Sequence, residues 1–340
     1  MGVTIRVVLS LALGLLPVLV FLLILVLLDS YKLVPARRVV RQLVLGAVVA
    51  VASLFLDGVV QHLLDLDTAA RARYVAPLVE ELLKGSAVVA LLVARRFGFL
   101  VDAAIAGFAV GAGFAAAENL RYFAVLGDTS LVLWTIRGFG TAIMHGSVTA
   151  IMAVVAKQLS DRRGGPGPAS IAPGWALAIV LHSVFNHFFL SPNATTALLL
   201  VLLPCFFALV FRVSEARTRE WLGTGFDTDQ ELLALINAGR VSDSRVGHYL
   251  EELKQRFAGT VVADMLCLLR LRLELSIRAK GILIMRKAGF KVGADQEFNE
   301  RLAEVRFLER TLGATALRAL APILNLSDRE LWQVQLLESG

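Results

Sequence analysis

The chain has 340 residues, of which 57% are hydrophobic, and its mean hydropathy of +0.70 lies far above that of a soluble globular protein, where roughly half the residues are apolar. The formal net charge is +6, and all of that excess falls in residues 1–213, which hold 16 Lys/Arg against 10 Asp/Glu, while residues 214–340 hold 18 of each. A basic excess flanking apolar runs is topogenic, and with no basic stripe on a soluble domain it excludes a nucleic-acid partner.

Seven runs have the roughly 20 apolar residues that a spanning helix needs: 5–28, 39–62, 76–94, 101–124, 131–156, 173–191 and 195–213. The first contains 22 uncharged positions, 7–28, with no clear small-residue cleavage site after it, and reads as a retained helix rather than a signal peptide. Lys and Arg concentrate in alternate gaps: Lys32 to Arg41, Arg95 and Arg96, Lys157 to Arg163, and Arg212 to Arg219. Under the positive-inside rule this alternation places the N-terminus outside and the C-terminal region in the cytoplasm, as an odd number of spans requires. Cys205 and Cys267 then fall in different compartments and cannot pair with each other.

The segment 164–173, GGPGPASIAP, reads as a flexible loop. Beyond residue 214, charges of both signs alternate with apolar residues at helical spacing over 229–238, 243–257, 260–288, 294–312, 315–325 and 328–338. Ser327 and Glu330 have the spacing of a capping box for the last of these. Leu269 to Arg278 alternates like a strand, but its flanks are helical. The expected architecture is all-α: a polytopic bundle of about seven transmembrane helices over 1–213, followed by a soluble α-helical domain over 214–340. The bilayer is thus one partner, and the tail offers a surface for a cytoplasmic one.

An ionisable group at the centre of a spanning helix costs at least about 2.5–3.5 kcal/mol on insertion scales, so each one present calls for a reason. The third span opens with Glu80-Glu81-Leu82-Leu83-Lys84, in which Glu80 and Lys84 share a face and Glu81 points about 100° away. One carboxylate is then neutralised locally and the other is free. The fourth span runs Gly107, Gly111, Gly113, Phe114, Glu118, Asn119, and its small residues admit a close neighbour that would enclose Glu118. His145 and His182 sit near the middle of the fifth and sixth spans, with Asn186 one turn from His182.

Carboxylates and imidazoles on four helices are the groups a zinc hydrolase needs: ligands, an open position for water, and a base. Here Glu80 or Glu81 would be the base, and Asn186 would polarise the scissile carbonyl. The bland readings are ion pairs (Glu80 with Lys84, Glu118 with Arg121) and histidines that only hydrogen-bond between helices. His187, about 140° around from His182, reads as structural, and His62 and His248 as solvated. Asn119 and Tyr122 either touch substrate or anchor their helix. Arg137 either pairs with Glu80, Glu81 or Glu118 or reaches outward.

The ordered set EExxK, GFxxxEN, a later His and HxxxN over residues 57–190 resembles the PrsW family of intramembrane proteases, distantly related to the CAAX-type prenyl proteases. The resemblance implies a protease of a bacterial inner membrane with Glu80, Glu81, Glu118, His145 and His182 as functional residues, and a membrane-protein substrate of the anti-sigma-factor kind. With the chemistry above, the expected assignment is Glu80, Glu81 and Asn186 catalytic, and Glu118, His145 and His182 as ligands of Zn²⁺. A metal-free glutamate protease is the alternative within the enzyme class. A transporter would show an inverted repeat, and none is visible. A scaffold for the tail would tolerate loss of the glutamates. On the derived topology the site opens toward the extracytoplasmic face.

Overall fold

A computed structural model describes residues 3–64, 67–127, 130–290, 292 and 296–323, and every regular element among them is helical. They form two compact units, Met1–Asp29 with Val34–Ser214, and Ser30–Leu33 with Glu215–Gly340.

The first unit contains α1 (Val3–Leu28), α2 (Ala36–Leu64), α3 (Ala76–Val93), α4 (Leu100–Leu126), α5 (Leu131–Arg163), α6 (Pro168–Asn186) and the apolar part of α7 (Pro192–Asn237). Six of these are long and apolar enough to cross a membrane. The seventh, α3, is excluded by composition alone, because its 18 residues carry Glu80, Glu81 and Lys84. Arg38 at the start of α2 faces the charge of Asp102 at the start of α4, so α3 runs back along the bundle to the end from which α2 left. At about 1.5 Å per residue, 18 residues make roughly 27 Å, close to the hydrocarbon thickness.

The chain packs from the inside outward. Helix α4 is buried along most of its length and α5 nearly so, whereas α1, α2, α6 and α7 expose Leu23, Val48, Phe55, Val180 and Val201 on the surface that meets lipid. The glycines of α4 explain its central place. A Cβ at Gly111 would lie 2.3 Å from the His145 carbonyl oxygen of α5, and one at Gly113 would lie 1.9 Å from that of Leu43 in α2. Only glycine lets both neighbours approach so closely, as the small-residue spacing predicts. The start of α4 is held by Asp102, whose carboxylate accepts from the Gly98 and Phe99 amides at 2.8 and 3.1 Å.

Two places depart from the sequence reading. The loop expected over 164–173 is short, because α6 already begins at Pro168. Proline is at home in a first helical turn, and the Ala169 carbonyl, which Pro173 cannot serve, accepts from the Arg163 guanidinium instead. The last span does not stop at 213 either: α7 is continuous to Asn237, so the helix expected over 229–238 is its end. Pairs such as Arg219 with Glu215 at 3.4 Å support the helix across this stretch.

The second unit packs α8 (Arg245–Leu253), α9 (Gly259–Lys287) and α10 (Gln296–Leu320) around Met265, Leu268, Leu275, Phe298 and Leu302. The strand-like alternation at 269–278 belongs to α9, a central helix buried on several sides: Leu271, Leu273 and Leu275 are interior, while Arg272 and Glu274 pair with Glu309 and Arg301 of α10. Gly313, at φ 72°, kinks α10 where the reading separated two helices. The Ser327 capping box and the segment 328–338 lie outside the described residues.

Candidate active site

Six expected residues converge on one place in the first unit. A cavity of about 380 Å³ is walled by Asp57 of α2, Glu80 of α3, Phe114 and Glu118 of α4, Arg137 and His145 of α5, and His182 and Asn186 of α6. Two π-helical turns border it, Arg71–Val75 before α3 and Ile136–Ala142 within α5. Such turns shift the helical register and are frequent at functional sites.

The donors of Glu80, His145 and His182 lie within 4.8 Å of one another. Around them, each ring nitrogen has a partner or a vacancy with a consequence. His182 Nδ1 meets Glu81 Oε1 at 2.8 Å, which leaves Nε2 for other use. His145 Nδ1 meets Lys84 Nζ at 2.9 Å, and His145 Nε2 meets Glu118 Oε2 at 3.2 Å. The two rings stand edge to face with centroids 4.9 Å apart. Glu80 Oε2 is buried without a hydrogen bond, 3.9 Å from Lys84 Nζ and 3.8 Å from His145 Nδ1, whereas Glu118 Oε2 lies 3.2 Å from Arg137 as well as from His145.

Lys84 does not divide the two glutamates as its spacing suggested. It holds Glu81 at 2.5 Å and Glu80 only at 3.9 Å. Both i,i+3 and i,i+4 neighbours share a helix face, and the His182 ring draws Glu81 to the inner side. Glu81 is therefore enclosed and braced, and Glu80 faces the cavity. The Lys84 ammonium also sits 4.5 Å from the Phe114 ring centroid and is fully buried. Sequence reading saw Lys84 only as a pairing partner; its distance of 61 residues from His145 hid the contact.

Arg137 pairs with Glu118, donates to Asn119 Oδ1 at 2.8 Å, and lies 3.7 Å from the Tyr122 ring centroid. Asn119 also donates to the Gly14 carbonyl at 2.7 Å, so both ends of its amide brace neighbouring helices. Asn186 lines the cavity but donates to the Ala72 carbonyl at 2.8 Å. His187 is held by the Ser183 carbonyl at 2.7 Å and the Tyr74 hydroxyl at 3.1 Å, away from the donor cluster. His248 is an exposed residue on the Ser244 carbonyl in the other unit, and the His62 side chain lies outside the described set.

No curated protein and no solved structure matches the chain. The PrsW family intramembrane metalloprotease model matches residues 34–212, the stretch that supplies every cavity residue named above. That match covers more than half of the 340 residues, and the chain belongs to the PrsW family of intramembrane proteases.

Proposed function

We propose that the protein hydrolyses a peptide bond of a membrane-protein substrate in this cavity, with Glu80, His145 and His182 holding a zinc ion. The supporting observation is the convergence of one carboxylate and two imidazoles within 4.8 Å, with a buried Glu80 oxygen that makes no hydrogen bond. That donor set is the three-ligand kind found in catalytic zinc sites, which keep one position open. Zinc bound there would act as a Lewis acid on the carbonyl and lower the pKa of bound water. Glu81 orients His182 through its Nδ1, as outer carboxylates do for metal-ligating histidines.

Relative to the motif order, this reading moves Glu80 into the ligand set and gives Glu118 the role of base. Glu118 borders the cavity and is held there by Arg137 and His145, each 3.2 Å from its Oε2. It takes a proton from water and returns it to the departing amine. Asn186 polarises the substrate carbonyl by exchanging the Ala72 oxygen for it, which loosens the Arg71–Val75 turn at the cavity wall. Two measurements test this. Elemental analysis of the purified protein finds near-stoichiometric zinc in wild type and loses it in His145→Ala and His182→Ala. New protein N-termini appear in membranes holding wild type and vanish with Glu80→Gln or Glu118→Gln.

One observation favours a metal-free variant. Lys84 places an ammonium 2.9 Å from His145 and 3.9 Å from Glu80, where it competes with a divalent cation. In that variant Glu80 is itself the base. Folded wild type without metal that still cleaves, with Glu118→Gln retaining activity and Glu80→Gln losing it, establishes the metal-free route.

The charge bias supports a topology with the N-terminus outside and residues 214–340 in the cytoplasm, and the resemblance noted above supports a bacterial inner membrane in which the tail meets a cytoplasmic partner. A substrate of the anti-sigma-factor kind then enters from the extracytoplasmic side. Reporter fusions after residues 128 and 340 giving opposite compartments check the topology.

A further inference from the structure

The end of α9 carries apolar side chains that the described residues leave largely exposed. Ile284, Met285 and Phe290 are 47%, 41% and 64% exposed. Their geometry is fixed: Gly289 turns the chain at φ 92°, and Arg286 Nε closes the turn on the Val292 carbonyl at 2.8 Å.

This tip has two reference points at the edge of the bilayer. Lys287 Nζ meets the Tyr31 hydroxyl at 3.1 Å and Glu215 Oε1 at 3.2 Å, and its ammonium lies 4.7 Å from the Tyr31 ring centroid. Tyr31 is the third residue after the end of α1 at Leu28, in a turn that leads at once into α2 at Ala36. So short a connection between two spans cannot leave the headgroup zone. Glu215 is the third residue after Arg212, the first charge beyond the apolar run of α7. Both points therefore emerge from hydrocarbon at one face, and the tip of α9 is tied to both. Lys32 and Arg37, exposed at the same connection, add positive charge suited to lipid phosphates.

We propose that Ile284, Met285 and Phe290 form an interfacial foot of the second unit that sits in the headgroup and upper acyl region of this leaflet, with Tyr31 and Lys287 at headgroup level. Tyrosine and lysine favour that depth, where a ring or an aliphatic stem meets apolar surface and the polar end meets water.

The full-length protein tests this in vesicles of phosphatidylcholine and phosphatidylglycerol, with Cys205→Ser and Cys267→Ser and one environment-sensitive fluorophore. The label goes on Phe290→Cys or, as control, on Phe307→Cys, an equally exposed site at 64%. Helix α10 runs antiparallel to α9, since Arg278 pairs with Glu297 and Arg272 with Glu309. Phe307 thus lies level with the region of Arg272, about 22 Å along α9 from Lys287. Lipids quenching from the upper acyl chain dim the label at 290 several-fold more than the label at 307, and aqueous iodide does the reverse. Iodide reaching 290 as readily as 307 overturns the proposal, and so does a label at 290 shielded from both quenchers, which would mean a protein cover.

Discussion

Lys84 in the first unit and Lys280 in the second are each buried against a carboxylate, and their surroundings differ. Lys280 donates to Asp229 Oδ2 at 2.6 Å, and Ser276 donates to the same oxygen at 2.7 Å. Lys84 holds Glu81 at 2.5 Å and touches His145, while Glu80 nearby keeps a buried oxygen without a hydrogen bond. The first arrangement is closed and joins the end of α7 to α9. The second borders a cavity and leaves an acceptor unused. Buried polar groups are normally satisfied, because an unmade hydrogen bond in low dielectric is costly. In the first unit a carboxylate oxygen of Glu80 stays without a hydrogen bond beside two histidines and a cavity, which is what the proposed site requires.

The sharpest way to break this comparison is Lys84→Met. Removing one partner of a buried ion pair strands the other charge, at a cost of about 3–5 kcal/mol, and here Glu81 is stranded in the membrane unit. Thermal unfolding in detergent shows a large loss, which Lys84→Met with Glu81→Leu largely restores. Activity does not return with stability, since His182 has lost its Glu81 partner. Recovery of both would make the cluster a structural clamp like that of Lys280.

Lys280→Met in the second unit is the matching experiment and should cost about 3 kcal/mol, the lower end of the same range, because Ser276 still serves Asp229. Lys280→Met with Asp229→Leu should return the unfolding temperature close to wild type. Cleavage should change in neither variant. Loss of cleavage in the double variant would show that this pair acts beyond its own unit.

The contrast also explains what could be read in advance. The motif residues stood out because intramembrane charges are rare enough that each one demands a reason, and the division expected between 312 and 315 coincides with the kink at Gly313 in one helix. The partner of Lys84 was not legible, since three and four residues along a helix lie on the same face and only the His182 ring, 101 residues from Glu81, chooses between them. The engagement of Asn186 by Ala72 depends on a π-helical turn, whose register has no signature in Arg71–Val75. Helix α6 hid its start because Arg163 satisfies the carbonyl that Pro173 abandons. In each case a long-range contact decided between local options of similar energy.

Glycines give the finest version of the comparison, because each unit has one beside its buried cluster. A Cβ at Gly111 would lie 2.3 Å from the His145 carbonyl oxygen, which is backbone held within α5. A Cβ at Gly225 would lie 2.7 Å from Lys280 Nζ, the far end of a flexible side chain. Gly111→Ala must therefore push α4 and α5 apart, at about 3 kcal/mol, the upper end of overpacking costs, and it shifts His145 out of reach of Glu80 and Lys84. Gly225→Ala needs only a change of Lys280 rotamer, at about 1 kcal/mol, and the gain of alanine over glycine in a helix offsets most of that. Unfolding of the two variants side by side, with zinc content measured for each, separates the cases. Gly111→Ala should lose both stability and metal, while Gly225→Ala loses little of either. Equal tolerance at both positions would mean that the close approach of α4 and α5 does not hold the site together.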